Sequence, residues 1–391
     1  MRIGLDILFE KPLTSAGGES YLLGILPALS KVNAKKHELY LFVNQGNAEF
    51  YRQVIGNNDF TLIKLPGSNK HKWFRFLTQQ ILIPYYVKKY KIDVVGFLGN
   101  TSTLFLPCAS TLHIRSLHCF WAPAQLLWAR RQFLKIMIKL SSKNADLIIA
   151  NSNYLKEAVI KLLNPTCETR LVPHGVDHAI FQPLQGDEIK VVAGKINREY
   201  AITNPYLLFV STLYPYKNAD KIIRSFANLV QTKNIKHQLV IVGGDYKDQI
   251  NNLKQLATEL GVELKVLFLG HIANRNRIRE LYTLADIFLY PSSFETFGQP
   301  ILEAMACGTP VIGSDLSSVP EIIGDAGIST DPNNIEGLSE AIYHLINNKT
   351  TNSDMTNKGL NHSNLFTWER TAKKSIAAYE KAFFNYQNNI K

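Results

Sequence analysis

Glu295 and Glu303 stand eight positions apart in the run Pro291-Ser292-Ser293-Phe294-Glu295-Thr296-Phe297-Gly298-Gln299-Pro300-Ile301-Leu302-Glu303. The run reads as a strand end, a loop and a helix start. Gly298 lets backbone amides come close to a ligand, and Pro300 suits a first helical turn. Two carboxylates bracketing a helix N-terminus can bind hydroxyls on either side of a phosphate. Spacing alone equally admits an exposed loop acid and a helix-start acid favoured by the dipole.

Lys217 ends a second run, Ser211-Thr212-Leu213-Tyr214-Pro215-Tyr216-Lys217-Asn218, which follows an apolar strand and opens a helix. A lysine at such a turn can neutralise a diphosphate, helped by the helix N-terminus. Near the start of the chain, Ser15-Ala16-Gly17-Gly18 opens a helix, and its glycines free the backbone to reach a ligand. His113, Arg115 and His118 follow another candidate strand in Thr111-Leu112-His113-Ile114-Arg115-Ser116-Leu117-His118, where Arg115 could bring positive charge to a ligand. Each has an ordinary reading too: a solvated lysine, a tight turn, a satisfied core histidine.

Such residues must be held at strand ends and helix starts, and the chain supplies that alternation. Short apolar runs at 1–7, 39–43, 60–64, 93–97, 110–114, 147–150 and 170–172 alternate with amphipathic stretches at 18–32, 71–90, 123–141 and 153–163. The rhythm resumes with strands at 206–210, 238–242, 265–269, 287–290 and 309–312. Helices are expected at 219–231, 246–260, 275–285, 300–306, 335–346 and 368–385. Glycine-bearing turns follow two of these strands, at Gly243-Gly244 and Gly270-His271. The predicted division is a first Rossmann-like domain over 1–183, a linker over 184–205, a second such domain over 206–366 and a final helix over 367–391. The fold class is α/β, doubly wound, with ligands expected in a cleft between two facing domains.

The 391 residues exceed one ordinary core, and 46% hydrophobic with 19% charged residues marks a globular chain. Asp6 interrupts what a signal peptide would keep apolar, and no run is long enough to span a bilayer. Cys108, Cys119, Cys167 and Cys307 show no metal-ligand or disulfide spacing, so a soluble cytoplasmic protein is expected. Of 43 basic residues 22 fall within 1–180, against 11 of 32 acidic ones, so the net charge of +11 resides in the first half. No nucleic-acid module accompanies it. Instead Lys70-His71-Lys72-Trp73-Phe74-Arg75-Phe76, then Lys88, Lys89 and Lys91, mix basic with aromatic and apolar residues. Arg130, Arg131, Lys135, Lys139 and Lys143 do so along a second helix. That mixture suits peripheral docking on an anionic membrane surface. The alternative is an outer helix layer with a solvated basic face.

The stretch 294–311 closely resembles the signature of the retaining glycosyltransferases of family 4, Glu-x7-Glu within F-G-x-P-x-x-E-A-M-A-x-G-x-P-V. The resemblance extends loosely over the chain. It implies the GT-B fold, with the last helix, opened here by Phe366-Thr367-Trp368-Glu369-Arg370, crossing back to the first domain. It implies that Glu295 contacts the donor sugar, Glu303 the ribose hydroxyls, and amides near Phe297, Gly298 and Gln299 the sugar or phosphate. Lys217 matches the lysine that binds the donor diphosphate, although the family's glycine and arginine in that turn are Ser211 and Tyr216 here. The glycine-pair loop would bring Gly17 and Gly18 beside donor phosphates and acceptor. His113 matches a histidine near the reacting sugar, with Ile114 replacing the aspartate that follows it, and His174-Gly175-Val176-Asp177 resembles a turn before the linker.

The expected activity is retaining transfer of a mannose-like or glucose-like hexosyl unit from a GDP- or UDP-linked sugar to a glycan or lipid-linked acceptor. Glu295, Lys217 and His113 would be catalytic, with Arg115 and His118 nearby. The nucleotide sugar is a substrate; no cofactor and no metal are expected, since no Asp-x-Asp pair stands at a strand end. A sugar-nucleotide epimerase on the same fold, or a nucleotide-sugar-binding protein without turnover, are the rival readings.

Overall fold

A computed structural model describes residues 1–12, 16–56, 59–66, 72–121, 127–203 and 205–390. Ser15, Lys70, His71 and residues 123–126 of the stretches singled out above lie outside the described residues. The chain forms two units: Met1–Gly175 with Trp368–Lys391, and Val176–Thr367.

The first unit is built on parallel strands β1 (Arg2–Asp6), β2 (Glu38–Asn44), β3 (Phe60–Leu65), β4 (Val94–Phe97), β5 (Ala109–Ile114), β6 (Leu147–Ala150) and β7 (Thr169–Leu171). Their order across the sheet is β3-β2-β1-β4-β5-β6-β7. Alternation along β2 sends Leu39, Leu41 and Val43 to one core and Tyr40 and Phe42 to another, so both faces of the sheet are covered. The helix Trp368–Ile390 belongs to this unit and places Trp368, Ala372, Ile376 and Tyr379 in the first core. It packs on the helix Ala16–Asn33 at Gly24, where any Cβ would run into the Trp368 indole.

The second unit carries parallel strands β8 (Tyr206–Val210), β9 (Gln238–Val242), β10 (Val266–Gly270), β11 (Ile287–Tyr290), β12 (Val311–Ser314) and β13 (Ile328–Thr330), in the order β10-β9-β8-β11-β12-β13. Its β8 is buried on both faces: Leu208 faces one core, Leu207 and Phe209 the other. In both sheets the order reverses beside the first strand. The loops after β1 and β4, and after β8 and β11, therefore open at topological switch points, where doubly wound sheets take ligands.

The structure differs from the expected linker. Most of 184–205 is a helix, Glu188–Tyr200, with Val192 and Ile196 packed into the second unit's core. Those residues are four apart, one helical face, and glycine and charged neighbours had masked that period. The second unit begins at Val176 rather than after the expected linker: Val176, Phe181 and Leu184 join the same core, and Val176 bridges to Thr367.

Candidate active site

In the second unit, two chain segments converge at the switch point. After β8 the chain turns through a short 3-10 segment, Pro215–Lys217, and Asn218 takes a left-handed conformation (φ 57°) that starts the helix Ala219–Lys233. After β11 the chain runs through Pro291–Gly298 into the helix Gln299–Ala306. Asn218 Nδ2 donates to the Pro291 carbonyl at 2.6 Å and to Ser293 Oγ at 2.8 Å. The Ser293 amide returns a bond to the Tyr216 carbonyl at 2.9 Å. The Glu295 amide donates to Ser317 Oγ at 3.0 Å, which fixes where its side chain starts.

The result of this stitching is an ion pair between Lys217 and Glu295, both mostly buried. Lys217 Nζ also donates to Tyr290 Oη at 3.0 Å, and lies 5.1 Å from the centre of that ring. Burial and the Glu295 charge hold the Tyr290 hydroxyl far above its ordinary pKa, so it stays protonated. Tyr216, where the resemblance would have an arginine, stacks on Tyr214 at 5.4 Å and meets Phe294 edge-on at 6.2 Å. An aromatic wall therefore stands where the family pattern has a second positive charge.

Gly298 (φ 96°) forms the N-cap of the signature helix in a left-handed conformation that favours glycine. Phe297 does not present its side chain to a ligand. It is 3% exposed and packs edge-on against Phe366 in the core, so only its backbone is left for donor contact. Gln299 begins the helix. Glu303, further along, is half-buried, and desolvation raises its pKa to about 7, opposed by the charge of Arg275 and reinforced by Asp177. Arg275 pairs with Asp177 at 3.0 Å and lies over the Phe181 ring, which gives the Asp177 turn a structural role beside Glu303. A recess of about 870 Å³ between the helices Ala219–Lys233 and Ile335–Asn347 is lined by none of these residues.

The first unit gathers its polar groups at the carboxyl ends of β1 and β5. Glu10 and Arg115 form a largely buried ion pair, with Arg115 5.1 Å from the Tyr21 ring centre. Gly18 belongs to this cluster because a Cβ there would strike the Glu10 carboxylate, whereas Gly17 faces open space. His113, on β5, is 2% exposed and sits 3.3 Å from the Tyr379 hydroxyl. Burial, and then the Arg115 charge, push His113 down to about 3, so it is neutral near pH 7. Asn100 (φ 66°) accepts from the amides of Arg115 and Ser116 at 2.7 and 3.2 Å, which aims the loop after β5. His118 opens a short helix with Nδ1 3.1 Å from Ser116 Oγ, and burial lowers its pKa.

Sequence reasoning missed several members of these clusters. Tyr290, Ser317 and Glu10 carried no local signal, because each meets its partner only where the fold brings distant segments together. Asp6 did carry one: an acid ending a buried strand. It accepts from the Leu8 amide at 2.9 Å and from Gln79 at 2.6 Å, and burial raises it to about 6. Among the described residues no group of three or more His, Cys, Asp or Glu is placed to hold a metal ion.

The site thus joins a loop acid to the lysine of a neighbouring strand-to-helix turn, with a second acid inside the following helix. The model described as "Glycosyl transferases group 1" matches residues 195–362, and that described as "Glycosyltransferase Family 4" matches residues 15–180. The chain belongs to the group 1 glycosyltransferases. It is an enzyme of that class. This glycosyltransferase is 26% identical over 386 residues to the "O-antigen chain mannosyltransferase B" of Escherichia coli, an alignment covering 94% of this chain and 96% of that one. Its fold matches a sucrose-phosphate synthase from Thermosynechococcus elongatus (TM-score 0.75, 20% identity, 98% and 99% of the two chains). It also matches HepE of Anabaena solved with UDP-glucose (TM-score 0.73, 18% identity, 96% and 99%). The two parallel α/β units are those of the GT-B class.

Proposed function

We propose that this glycosyltransferase moves a mannose-like or glucose-like hexosyl unit, with retention, from a GDP- or UDP-linked donor to a glycan or lipid-linked acceptor in cell-surface polysaccharide or glycolipid synthesis. The observation that carries the reading is the Lys217–Glu295 pair at the β8/β11 switch point, one helix start away from Glu303. The mannosyltransferase relative and the UDP-glucose bound by HepE support the choice of donor class.

In this reading the bond between the anomeric carbon and the diphosphate oxygen breaks, leaving negative charge on the diphosphate. Lys217 and the amides at the helix starts stabilise that charge, as a preorganised field does best. Tyr290 holds the lysine ammonium in place, and Glu295 accepts from hydroxyls of the sugar while still paired to Lys217. Glu303 accepts from the ribose hydroxyls. The acceptor hydroxyl attacks from the face the diphosphate leaves, and its proton passes to the departing phosphate. Gly17, Gly18, Arg115 and His118 serve the donor phosphates and acceptor, while His113, expected to be catalytic, is neutral and buried and instead positions the loop after β5 that carries Arg115 and His118. No divalent ion takes part.

The test is a panel of UDP- and GDP-hexoses, first by thermal shift, since a ligand bound only to the folded state raises its stability. Transfer is then followed with acceptors, and the product's anomeric configuration read by NMR. Retained configuration with release of nucleoside diphosphate is expected. Inverted product, or isomerised free donor with no transfer, overturns the reading.

A further inference from the structure

The helix Lys72–Tyr90 in the first unit is apolar on two sides. Ile83 and Val87 face the core, as an amphipathic helix requires. Yet Phe74, Leu77, Ile81 and Tyr85, spaced three or four apart along its outer side, are 50–63% exposed. The stripe ends on exposed Lys88. The neighbouring helix Trp128–Asn144 repeats the pattern: Trp128, Ile136 and Leu140 are exposed on the side that carries exposed Lys139 and Lys143.

These two helices form one surface. Phe76 and Phe133 meet edge-on at 5.4 Å, and the loop after β4 binds both: the Ser102 amide donates to Ser141 Oγ at 2.9 Å, and the Leu104 amide to Gln80 Oε1 at 3.0 Å. Phe105, at the tip of that loop, is 88% exposed. A contiguous patch of large apolar side chains rimmed by charge marks an interaction site in a soluble fold. Charge identifies the occupant. The first unit holds 27 basic against 12 acidic residues, the second 16 against 20.

We infer that this surface docks on an anionic lipid bilayer, with the apolar stripes in the headgroup region and the lysines against lipid charge. The docking is peripheral, as no described helix is long and apolar enough to cross a membrane. It stands independently of the donor and acceptor assignments above.

Flotation with vesicles of phosphatidylcholine alone, or with phosphatidylglycerol added, tests it at low and high salt. The protein should float with the anionic vesicles at low salt and be released at high salt. Ile81→Ser should weaken that partitioning about tenfold. Lys139→Gln with Lys143→Gln should weaken it roughly thirtyfold. Leu264→Ser, which removes an 87% exposed leucine from the second unit, should change nothing. Sedimentation velocity and melting curves on the same variants check assembly and folding. Equal recovery with both vesicle types, no recovery at low salt, or equal loss in the Leu264→Ser control would overturn the inference. So would a wild-type dimer that Ile81→Ser converts to monomer, because the patch would then be a contact between copies.

Discussion

Lys217 and Glu295 are 78 residues apart in sequence and form an ion pair across the switch point of the second sheet. Both lie on short loops, yet neither loop is free to drift. Asn218 and Ser293 tie one to the other, and Ser317 holds the Glu295 backbone. A pair held so firmly keeps its charges aimed without reorganisation during the reaction, which is the condition for strong electrostatic catalysis.

Lys217→Ala should therefore harm both the fold and the donor site. Removing the ammonium leaves Glu295 and Tyr290 without their shared partner, at a cost of about 1.5–3 kcal/mol, read from chemical denaturation. Donor affinity should fall by a similar amount, whereas Lys217→Arg should recover part of it. Wild-type donor affinity in a folded Lys217→Ala protein would remove the lysine from the diphosphate site.

Glu303 gives the donor site a pH dependence. Its carboxyl titrates near 7 rather than in the ordinary carboxylate range, because burial disfavours the charge. In the proposed donor site protonation removes an acceptor for the ribose hydroxyls, so donor KM should rise as pH falls from about 8 to about 6. The stability sign is opposite: with a raised folded pKa, this group's favourable contribution is complete below its ordinary value and is lost as pH climbs through 7. Glu303→Gln should flatten the KM profile across that window. A profile that keeps its shape in the variant would assign the titration elsewhere.

The two histidines of the loop after β5 should rank unequally. His113→Ala empties a buried position beside Tyr379 and disturbs the approach to Arg115, so transfer should drop by about tenfold or more, with roughly 1–3 kcal/mol lost in stability. His118→Ala should stay within a few-fold of wild type. The reverse ranking, measured by initial rates and melting on the same samples, would make His118 rather than His113 the histidine on which transfer depends.

Transfer should survive EDTA. In the proposed mechanism Lys217 and the helix-start amides supply the countercharge that a divalent ion would otherwise provide. Loss of activity restored by magnesium or manganese would mean that an ion, not the lysine, carries the diphosphate charge.

The strands and the signature loop were legible because both depend on local pattern. Buried runs such as Tyr206–Val210 announce themselves by apolar content, and the Gly298-to-Pro300 step by its turn chemistry. What was not legible depends on partners far along the chain. Tyr290 looks like one more buried strand aromatic until the sheet sets it under Lys217. Lys349–Ser363 was missed as a helix because it is polar nearly all round, with only small Gly359 and Ser363 buried. β13 was missed for a related reason: three residues, exposed Ser329 between half-buried Ile328 and Thr330, are too few to read as a strand. Phe297 shows a further limit. The motif assigns its backbone amide to the donor, whereas the place of its ring, in the core against Phe366, could not be read from the motif.

The most direct test of the account is the transfer rate of a folded Glu295→Gln enzyme with the donor found by thermal shift. The amide keeps the size of the side chain and removes the charge that pairs with Lys217 and that, in the proposed mechanism, faces the sugar. A fall in kcat of about tenfold to a hundredfold, with donor affinity changed far less, is expected for a contact worth about 1.5–3 kcal/mol in the transition state. An unchanged kcat would contradict the central claim that this pair is the catalytic centre.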